Sequence, residues 1–541
     1  MVKKTWFFIG LLFILACIET AVPYIRAEHY ADKDHVFLGQ IIYTPDQDMY
    51  FSFLSQVRHG GYIFYNKYTG IPNAPSFFNV EFLLAGLAGK AGLSENATYY
   101  VWRFFGAWVL VLGFVMLARA MLPERKIVPA TAVFLFTGGS GFLFLVLNSL
   151  HLINDSLFHA GILDMRYGFL PLQQMFSNPH FSFPHGLILI SYAIFLHGLQ
   201  RNSQRLLAVS GICFSLVGLV RPYDLIPLPF ILPVAVLIFY PLRGGIGPIC
   251  RKLLPLWMIG PVFLYNVWLF KFNEFFKYWA SQGHNADSLP SIWWHYPCYG
   301  IIGILAVVRL LQVRRNPLSQ MEQFMVAWFG ITFTFIHLGK YIPAIGFSPQ
   351  IGVYLAAPLT LLSFGIRVPD SFARKALYKT MVAIVVLLVV VSNLALLAYF
   401  NKNFAPGKHN MTYYADSDEM KAWEWMDTHL HKGDVVLASL MTSLRIGKYT
   451  CASVVGAHYS VTPRFDETLK RMDSVGIMPL NGGREAVVQR LNADYLYSGL
   501  VERLSGAPLP DSISWLTTVY TNPYVTIYKM KRPGNKKLVA E

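Results

Sequence analysis

Residues 44–61 read Thr-Pro-Asp-Gln-Asp-Met-Tyr-Phe-Ser-Phe-Leu-Ser-Gln-Val-Arg-His-Gly-Gly and follow soon after the first long apolar stretch of the chain. Pro45 and the acids behind it favour a helix start, because carboxylates are stabilised by the positive end of the helix dipole. Apolar residues then recur at helical spacing, namely Met49, Phe53, Leu54 and Val57. The segment predicts an amphipathic helix on a membrane surface, with Asp46 and Asp48 at the membrane–water boundary.

The composition of the whole chain explains why a membrane is expected. Of 541 residues, 54% are hydrophobic and only 14% are charged, against roughly 25% charged in an ordinary soluble domain. This excludes a soluble globular enzyme, a disordered chain and a coiled coil. About eleven apolar stretches approach the ~20 residues that a helix needs to cross a bilayer, at about residues 5–25, 100–122, 127–149, 183–200, 205–221, 225–241, 253–271, 297–313, 322–339, 349–366 and 378–400.

The net charge of +15 is concentrated in alternate linkers between these stretches. By the positive-inside rule those linkers are cytoplasmic, which places the N-terminus inside and the C-terminus outside. The basic excess therefore indicates membrane topology, and we expect the lipid bilayer and no nucleic acid as a partner. The five cysteines have neither metal-ligand nor disulfide-framework spacing, so no zinc site is predicted from them.

Two domains follow from this pattern. Residues 1–400 are predicted to form the α-helical polytopic membrane domain, in which residues 26–99 are the first extracytoplasmic loop. Residues 401–541 have higher charge density and mixed helix and strand patterns, such as Asp434-Val-Val-Leu-Ala-Ser and Val525-Thr-Ile-Tyr-Lys. They predict a small extracytoplasmic α/β domain.

The acids of the first loop have two interpretations at this point. A partly desolvated carboxylate at Asp46 or Asp48 is suited to act as a general base on a hydroxyl group. Both acids are equally suited to cap the helix that follows them.

The order of these features resembles the GT-C glycosyltransferases. The shared features are Asp-x-Asp after the first span, a juxtamembrane helix ending in Gly60-Gly61, Tyr68-Thr-Gly-Ile-Pro-Asn-Ala-Pro before the second span, and tail motifs such as Val455-Gly-Ala-His and Ala493-Asp-Tyr-Leu-Tyr-Ser-Gly. The resemblance implies an enzyme of the bacterial inner membrane that uses a polyprenyl-phosphate-linked sugar donor. It implies inverting transfer of a hexose to a glycan, lipid or protein acceptor.

Carried over to this chain, the catalytic motif of that family falls on Asp46 and Asp48, with Asp48 favoured as the general base. The resemblance implies no certain cofactor, although a divalent cation beside the two acids fits their chemistry. The departing phosphate needs cations more than it needs a general acid.

Further candidates are polar residues at the outer ends of spans, where ionisable groups are costly and tend to be functional or paired. For the donor phosphate they are Arg221, Lys340, His337 and Arg166, and for the substrate they are Tyr223, Asp224, His180 and His185. Each has a structural alternative. Arg221 and Asp224 are spaced to form an ion pair, and Lys340 is placed to extend its side chain along the membrane surface toward water. His180 and His185 lie where a helix enters the membrane and would pack between neighbouring side chains.

Two other functional classes remain open on the sequence. A transporter or flippase of lipid-linked saccharide would share the membrane domain, but such proteins usually show internal repeats and sites near mid-membrane. A non-catalytic cell-envelope assembly protein would keep the scaffold without the chemistry. The chain contains no Walker loop and no dinucleotide-binding fingerprint, which disfavours ATP-driven transport and nicotinamide chemistry.

Overall fold

The protein is a mostly helical integral membrane protein in a computed structural model. The structure describes residues 2–42, 44–162, 169–240, 246–282, 298–338, 349–369, 371, 375–477, 482–505 and 514–531. The chain divides into two compact units, each built from separated segments. The first unit contains Met1–Arg26, Tyr99–Val267 and Gly283–Ala405, and the second contains Ala27–Thr98, Trp268–Gln282 and Pro406–Glu541.

The first unit carries the apolar helices. Within the described residues they are Val2–His29, Glu95–Met121, Glu124–Phe136, Gly141–Ser149, Asp155–Gly161, Pro171–Ser177, Pro179–Gln200, Gln204–Val220, Leu228–Phe239, Ile246–Lys252, Leu254–Phe272, Gly300–Leu311, Gln320–Leu338, Ala356–Ser363 and Ala376–Asn401, with short 3₁₀ helices at Pro222–Leu225 and Pro349–Tyr354.

Helical segments occupy all eleven positions at which the sequence predicts a span. Over the described part of the chain, six helices are long and apolar enough to cross a membrane, or seven if the bent pair Ile246–Lys252 and Leu254–Phe272 is one span. The helices Gln204–Val220, Gly300–Leu311 and Gly352–Ser363 are apolar but shorter. The count of eleven spans therefore stays a prediction.

Two of the long helices approach each other closely through glycine. A Cβ atom added at Gly186 would lie 2.4 Å from the backbone carbon of Val109, and one added at Gly113 would lie 2.4 Å from the carbonyl oxygen of Gly186. Small residues at such a crossing let two backbones meet and improve van der Waals packing, which drives helix association where lipid removes the hydrophobic effect. The crossing of Glu95–Met121 with Pro179–Gln200 therefore depends on these two glycines.

Gly186→Leu should separate the two helices and lower the yield of folded protein and its melting temperature in detergent. Gly260→Leu is the matched control, because no atom lies within 4 Å of a Cβ added at Gly260 in the same unit. The control should behave like the wild type. Equal melting temperatures for Gly186→Leu and Gly260→Leu would contradict this role of the glycine crossing.

The second unit joins the first loop to the C-terminal residues. The sequence assigns residues 26–99 to the membrane domain, whereas residues 27–98 pack in one unit with residues 406–541. Its described helices are Thr44–Arg58, Val80–Lys90, Phe276–Gln282, Ser417–His429, Leu440–Tyr449, Phe465–Ile477, Gly482–Arg490 and Leu500–Ser505. We call Thr44–Arg58 the acidic helix.

The acidic helix differs from its prediction as a helix lying on a membrane surface. Its apolar residues Met49, Phe51 and Val57 are buried, and so are Gln47, Ser52, Ser55 and Gln56 on its polar side. It packs against Val80–Lys90 and against Leu440–Tyr449. The amphipathic pattern is thus satisfied within the unit, where the polar side chains find hydrogen-bond partners, for example Ser55 Oγ, which donates to the carbonyl of Thr450 at 2.9 Å.

Two β-sheets complete the second unit. Strands β1 (His35–Phe37) and β2 (Tyr414–Asp416) form an antiparallel pair that ties the first loop to the C-terminal segment. Strands β3 (Val435–Leu437), β4 (Ser453–Val454), β5 (Tyr495–Ser498), β6 (Leu516–Thr521) and β7 (Thr526–Met530) form a mixed sheet with the order β4-β3-β5-β7-β6. The pairs β3–β4 and β3–β5 are parallel, and β5–β7 and β6–β7 are antiparallel.

Candidate active site

The two predicted acids lie near the start of the acidic helix, Asp46 in its first turn and Asp48 directly after it, but in different surroundings. The side chain of Asp46 is 36% exposed, whereas that of Asp48 is only 8% exposed. Two residues along a helix correspond to about 200° of rotation, so neighbouring acids of this spacing point to different sides. Each carboxylate therefore meets its own set of partners.

Asp48 faces a buried lysine. Its Oδ1 lies 3.8 Å from Nζ of Lys448, and the Lys448 side chain has no exposed surface. Lys448 Nζ also donates a hydrogen bond to the carbonyl of Leu38 at 2.7 Å and lies 4.6 Å from the ring centre of Phe51. The lysine is thus held in place from three sides, and its charge is directed at Asp48.

Burial dominates the titration of this pair. It raises the pKa of Asp48 above its usual value, although Lys448 and Arg445 favour the ionised carboxylate and offset part of that rise. Burial also lowers the pKa of Lys448 to about 8, against the attraction of Asp48. Asp48 is therefore a stronger base than an ordinary aspartate, because its proton is bound more tightly.

Asp46 is hydrogen-bonded to a histidine that reaches it from the far end of the sequence. Nε2 of His458 lies 2.9 Å from Oδ1 of Asp46. On its other side, Nδ1 of His458 accepts a hydrogen bond from the backbone N–H of Ser460 at 3.2 Å. An imidazole nitrogen that accepts carries no proton, so a neutral His458 must carry its proton on Nε2 and donate it to Asp46.

The loop that carries His458 is fixed by a threonine. The hydroxyl of Thr462 accepts hydrogen bonds from the backbone N–H groups of Ala457 and His458 at 3.0 and 3.3 Å, and donates to the carbonyl of Tyr68 at 3.1 Å. The hydroxyl of Tyr68 in turn donates to the carbonyl of Asp48 at 3.1 Å. Tyr68 therefore links the backbone of the acidic helix at Asp48 to the loop of His458.

The sequence predicts the two acids but not the residues that face them. Tyr68 and His458 lie within motifs that carry the family resemblance, but those motifs indicate no role for either residue. Lys448 has no local signal, because it lies on the helix Leu440–Tyr449, four hundred residues beyond the acid that it faces. Only folding reveals these pairs.

A second polar cluster lies within the first unit, around Arg221. Nε of Arg221 lies 3.5 Å from Oδ2 of Asp224, and neither side chain has any exposed surface. Arg221 Nε also donates to the hydroxyl of Tyr223 at 2.9 Å, and the hydroxyl of Tyr354 donates to Oδ2 of Asp224. The ion pair predicted as the structural alternative for Arg221 and Asp224 is therefore formed, with two tyrosines around it.

The predicted histidines belong to the same cluster. His180 is buried and interacts electrostatically with Asp224. Nδ1 of His185 lies 2.7 Å from Oε1 of Gln174, and its ring lies edge-on to that of Tyr354 with centroids 5.1 Å apart. The structure thus brings together five predicted residues, Arg221, Tyr223, Asp224, His180 and His185.

The other three predicted residues are His337, Lys340 and Arg166, all assigned to the donor phosphate. His337 lies at the end of the helix Gln320–Leu338, and its ring packs on Phe333 of the same helix with centroids 4.6 Å apart. Lys340 and Arg166 lie outside the described residues. Their assignment to the donor phosphate stays a prediction.

No family model and no curated protein matches the sequence. Solved structures do match. The archaeal oligosaccharyltransferase AglB from Archaeoglobus fulgidus, in complex with an inhibitory peptide and a dolichol-phosphate, has a TM-score of 0.52 and 13% identity, over 92% of this chain and 70% of that one. ArnT from Cupriavidus metallidurans, bound to undecaprenyl phosphate, has a TM-score of 0.50 and 13% identity, over 94% and 97%.

The mycobacterial arabinofuranosyltransferase AftD aligns with a TM-score of 0.54 and 12% identity, over 96% of this chain and 41% of that one. All three are GT-C proteins. The chain has the GT-C fold. This confirms the resemblance that the sequence motifs indicate, at the level of the fold.

The depressed pKa of Lys448 predicts a pH-dependent stability. Between pH 8 and 10.5 the unfolded chain binds a proton at this lysine that the folded chain has lost, so the free energy of unfolding should rise with pH, by up to about 1.4 kcal/mol per pH unit. Thermal unfolding in detergent of the wild type and of Lys448→Met measures the difference. Lys448→Met should lack this rise in the free energy of unfolding between pH 8 and 10.5. If the stability of the two proteins changes with pH in parallel, the depressed pKa of Lys448 is contradicted.

Proposed function

We propose that the protein is a membrane glycosyltransferase that moves a sugar from a polyprenyl-phosphate-linked donor to an acceptor hydroxyl on the extracytoplasmic face. The observation that carries the proposal is the buried carboxylate of Asp48 opposite Lys448, in a chain with the GT-C fold. Two neighbours in that fold were solved with dolichol-phosphate and with undecaprenyl phosphate. A lipid-linked donor is therefore the substrate class that the fold supports best.

Asp48 is the proposed general base. The acceptor oxygen attacks the anomeric carbon, the bond from that carbon to the phosphate oxygen breaks, and the polyprenyl phosphate leaves with the electron pair of that bond. Asp48 takes the acceptor's proton, and the configuration at the anomeric carbon inverts. The raised pKa of Asp48 favours this transfer, because a carboxylate that holds a proton more tightly removes it more effectively.

Asp46 supports the reaction from the exposed side of the turn. With one oxygen fixed by His458, its carboxylate is oriented before any substrate binds, and such preorganisation lowers the cost of binding. We assign Asp46 to holding the acceptor or a divalent cation. The cation at Asp46 stays a prediction. Asp48 does not depend on it, since Lys448 already supplies a positive charge there.

The Arg221 cluster is the proposed site for the donor phosphate. A guanidinium binds phosphate oxygens with two parallel hydrogen bonds and cannot be deprotonated in proteins. Asp224, Tyr223 and Tyr354 around it fix its orientation. The alternatives of a saccharide transporter and of a non-catalytic assembly protein assign no use to a buried base, and the experiments below separate them from an enzyme.

Asp48→Asn should lower the turnover number for sugar transfer by roughly 10²–10⁴-fold, the usual contribution of a general base. Transfer is measured with the purified protein in detergent and a polyprenyl-phosphate sugar. Asp466→Asn is the matched control, since Asp466 is an exposed aspartate of the same unit. The control should retain wild-type turnover and melting profile. Because Asp48→Asn leaves Lys448 buried without its carboxylate, turnover is compared at a temperature at which the melting profile shows that the variant is folded.

Asp46→Asn distinguishes the role of Asp46 from that of Asp48. If Asp48 is the base, Asp46→Asn should weaken substrate binding and retain more turnover than Asp48→Asn. Full activity of Asp48→Asn, or loss of turnover in Asp46→Asn alone, would remove Asp48 from the role of base.

Arg221→Met tests the phosphate site, with Arg221→Met/Asp224→Asn as its companion. The single variant leaves a buried aspartate without its guanidinium, which costs about 3–5 kcal/mol of stability, and the double variant removes both charges and should recover most of it. Binding of undecaprenyl phosphate to the folded double variant then decides whether Arg221 binds the donor phosphate or only pairs with Asp224. Loss of binding supports a phosphate site, and wild-type affinity shows that Arg221 serves only its ion pair.

A further inference from the structure

A second group of chemically reactive side chains lies at the opposite end of the acidic helix from Asp46 and Asp48. It consists of His59, directly after the helix, Asp427 on the helix Ser417–His429, and Cys451, which precedes strand β4. One nitrogen, one oxygen and one sulfur atom of these three side chains all lie within 4.8 Å of one another. Each side chain is partly accessible, so an ion can reach the group from solvent.

The hydrogen bonding of His59 determines which of its nitrogens is available as a ligand. Nδ1 of His59 lies 2.8 Å from the carbonyl of Ser55, and because a carbonyl only accepts, Nδ1 carries the proton. In the neutral ring Nε2 then presents a lone pair. This lone pair faces Oδ1 of Asp427 at 3.1 Å, so two acceptors stand opposite each other, and either a second proton on the imidazole or a metal ion must lie between them.

The geometry suits a metal ion in that position. Two ligand atoms that each lie about 2.0–2.1 Å from a tetrahedral zinc ion are roughly 3.3 Å apart, which is close to the observed separation of Nε2 and Oδ1. Cys451 supplies the sulfur, whose thiol now donates to the carbonyl of Leu430 at 3.1 Å and would lose its proton on metal binding.

The groups behind these ligands are also those of a metal site. A metal-bound histidine typically donates its other N–H to a carbonyl or carboxylate, as His59 does to Ser55, and a ligating carboxylate is itself hydrogen-bonded. NH2 of Arg58 lies 3.2 Å from Oδ2 of Asp427. The positive charge of Arg58 is shared with Glu95, to which Arg58 is also paired.

We propose that His59, Asp427 and Cys451 bind a zinc ion, with the fourth position taken by water. A thiolate and an imidazole select zinc over the hard cations magnesium and calcium, which prefer oxygen ligands. The ion joins three segments that are distant in sequence and fixes the C-terminal end of the acidic helix. The cysteine spacing gave no indication of this site, because each segment contributes a single ligand.

The test is metal analysis and cobalt substitution of the full-length protein in detergent. Purified without chelator, the protein should contain about one equivalent of zinc. The apoprotein loaded with Co²⁺ should show a thiolate-to-cobalt charge-transfer band together with the intense visible bands of a tetrahedral site. Zinc should raise the melting temperature of the apoprotein.

Three variants assign the ligands. Cys451→Ser should lose the charge-transfer band and the stabilisation by zinc, whereas Cys250→Ser, at an exposed cysteine of the other unit, should keep both. If Cys451→Ser fails to fold, a variant in which the other four cysteines are replaced must retain the band. His409→Gln controls for a second group, Asp32, His35 and His409, which is also spaced for a metal ion.

Substoichiometric metal without a cobalt–thiolate band would overturn the proposal. So would a band that survives in Cys451→Ser, or zinc that is lost in His409→Gln and kept in Cys451→Ser. Sugar transfer is not part of this measurement, so the zinc site and the proposed enzymatic function can fail independently.

Discussion

A carboxylate that is buried without an opposite charge is costly, and this constraint explains how the second unit is built. Asp48 lies in the interior of that unit, and the charge that compensates it comes from Lys448, four hundred residues later in the chain. The first loop and the C-terminal segment must therefore fold together. The pairing of β1 with β2 and the contact between Asp46 and His458 join the same two segments.

The same constraint applies to the first unit, where Arg221 and Asp224 are both fully buried. Ionisable groups within apolar helices tend to be retained for function or to be paired, and here they are paired, with Tyr223 and Tyr354 completing the hydrogen bonding. Asp48–Lys448 in the second unit and Arg221–Asp224 in the first are thus both buried acid–base pairs, and the first unit contains a further one in Arg309 and Glu322. In the proposed enzyme, Asp48–Lys448 serves proton transfer and Arg221–Asp224 serves the donor phosphate.

Residue patterns that are local in the sequence predict much of the fold. The apolar stretches predict helices at the right positions, and the Pro-Asp-x-Asp pattern predicts the start of the acidic helix, since both depend on residues close together in the chain. The burial of the acidic helix was not predictable, because an amphipathic face does not reveal whether lipid or protein covers it. Lys448, Tyr354 and the ligand group of Cys451 were also missed, since each acts through partners that only the fold brings near.

Mass spectrometry of the lipid that co-purifies with the protein is the decisive measurement for the proposal that this chain uses a polyprenyl-phosphate-linked sugar as its donor. We expect a polyprenyl phosphate, alone or carrying a sugar, at a ratio to protein that falls in Arg221→Met/Asp224→Asn. Ordinary phospholipids alone, in both the wild type and the variant, would contradict it.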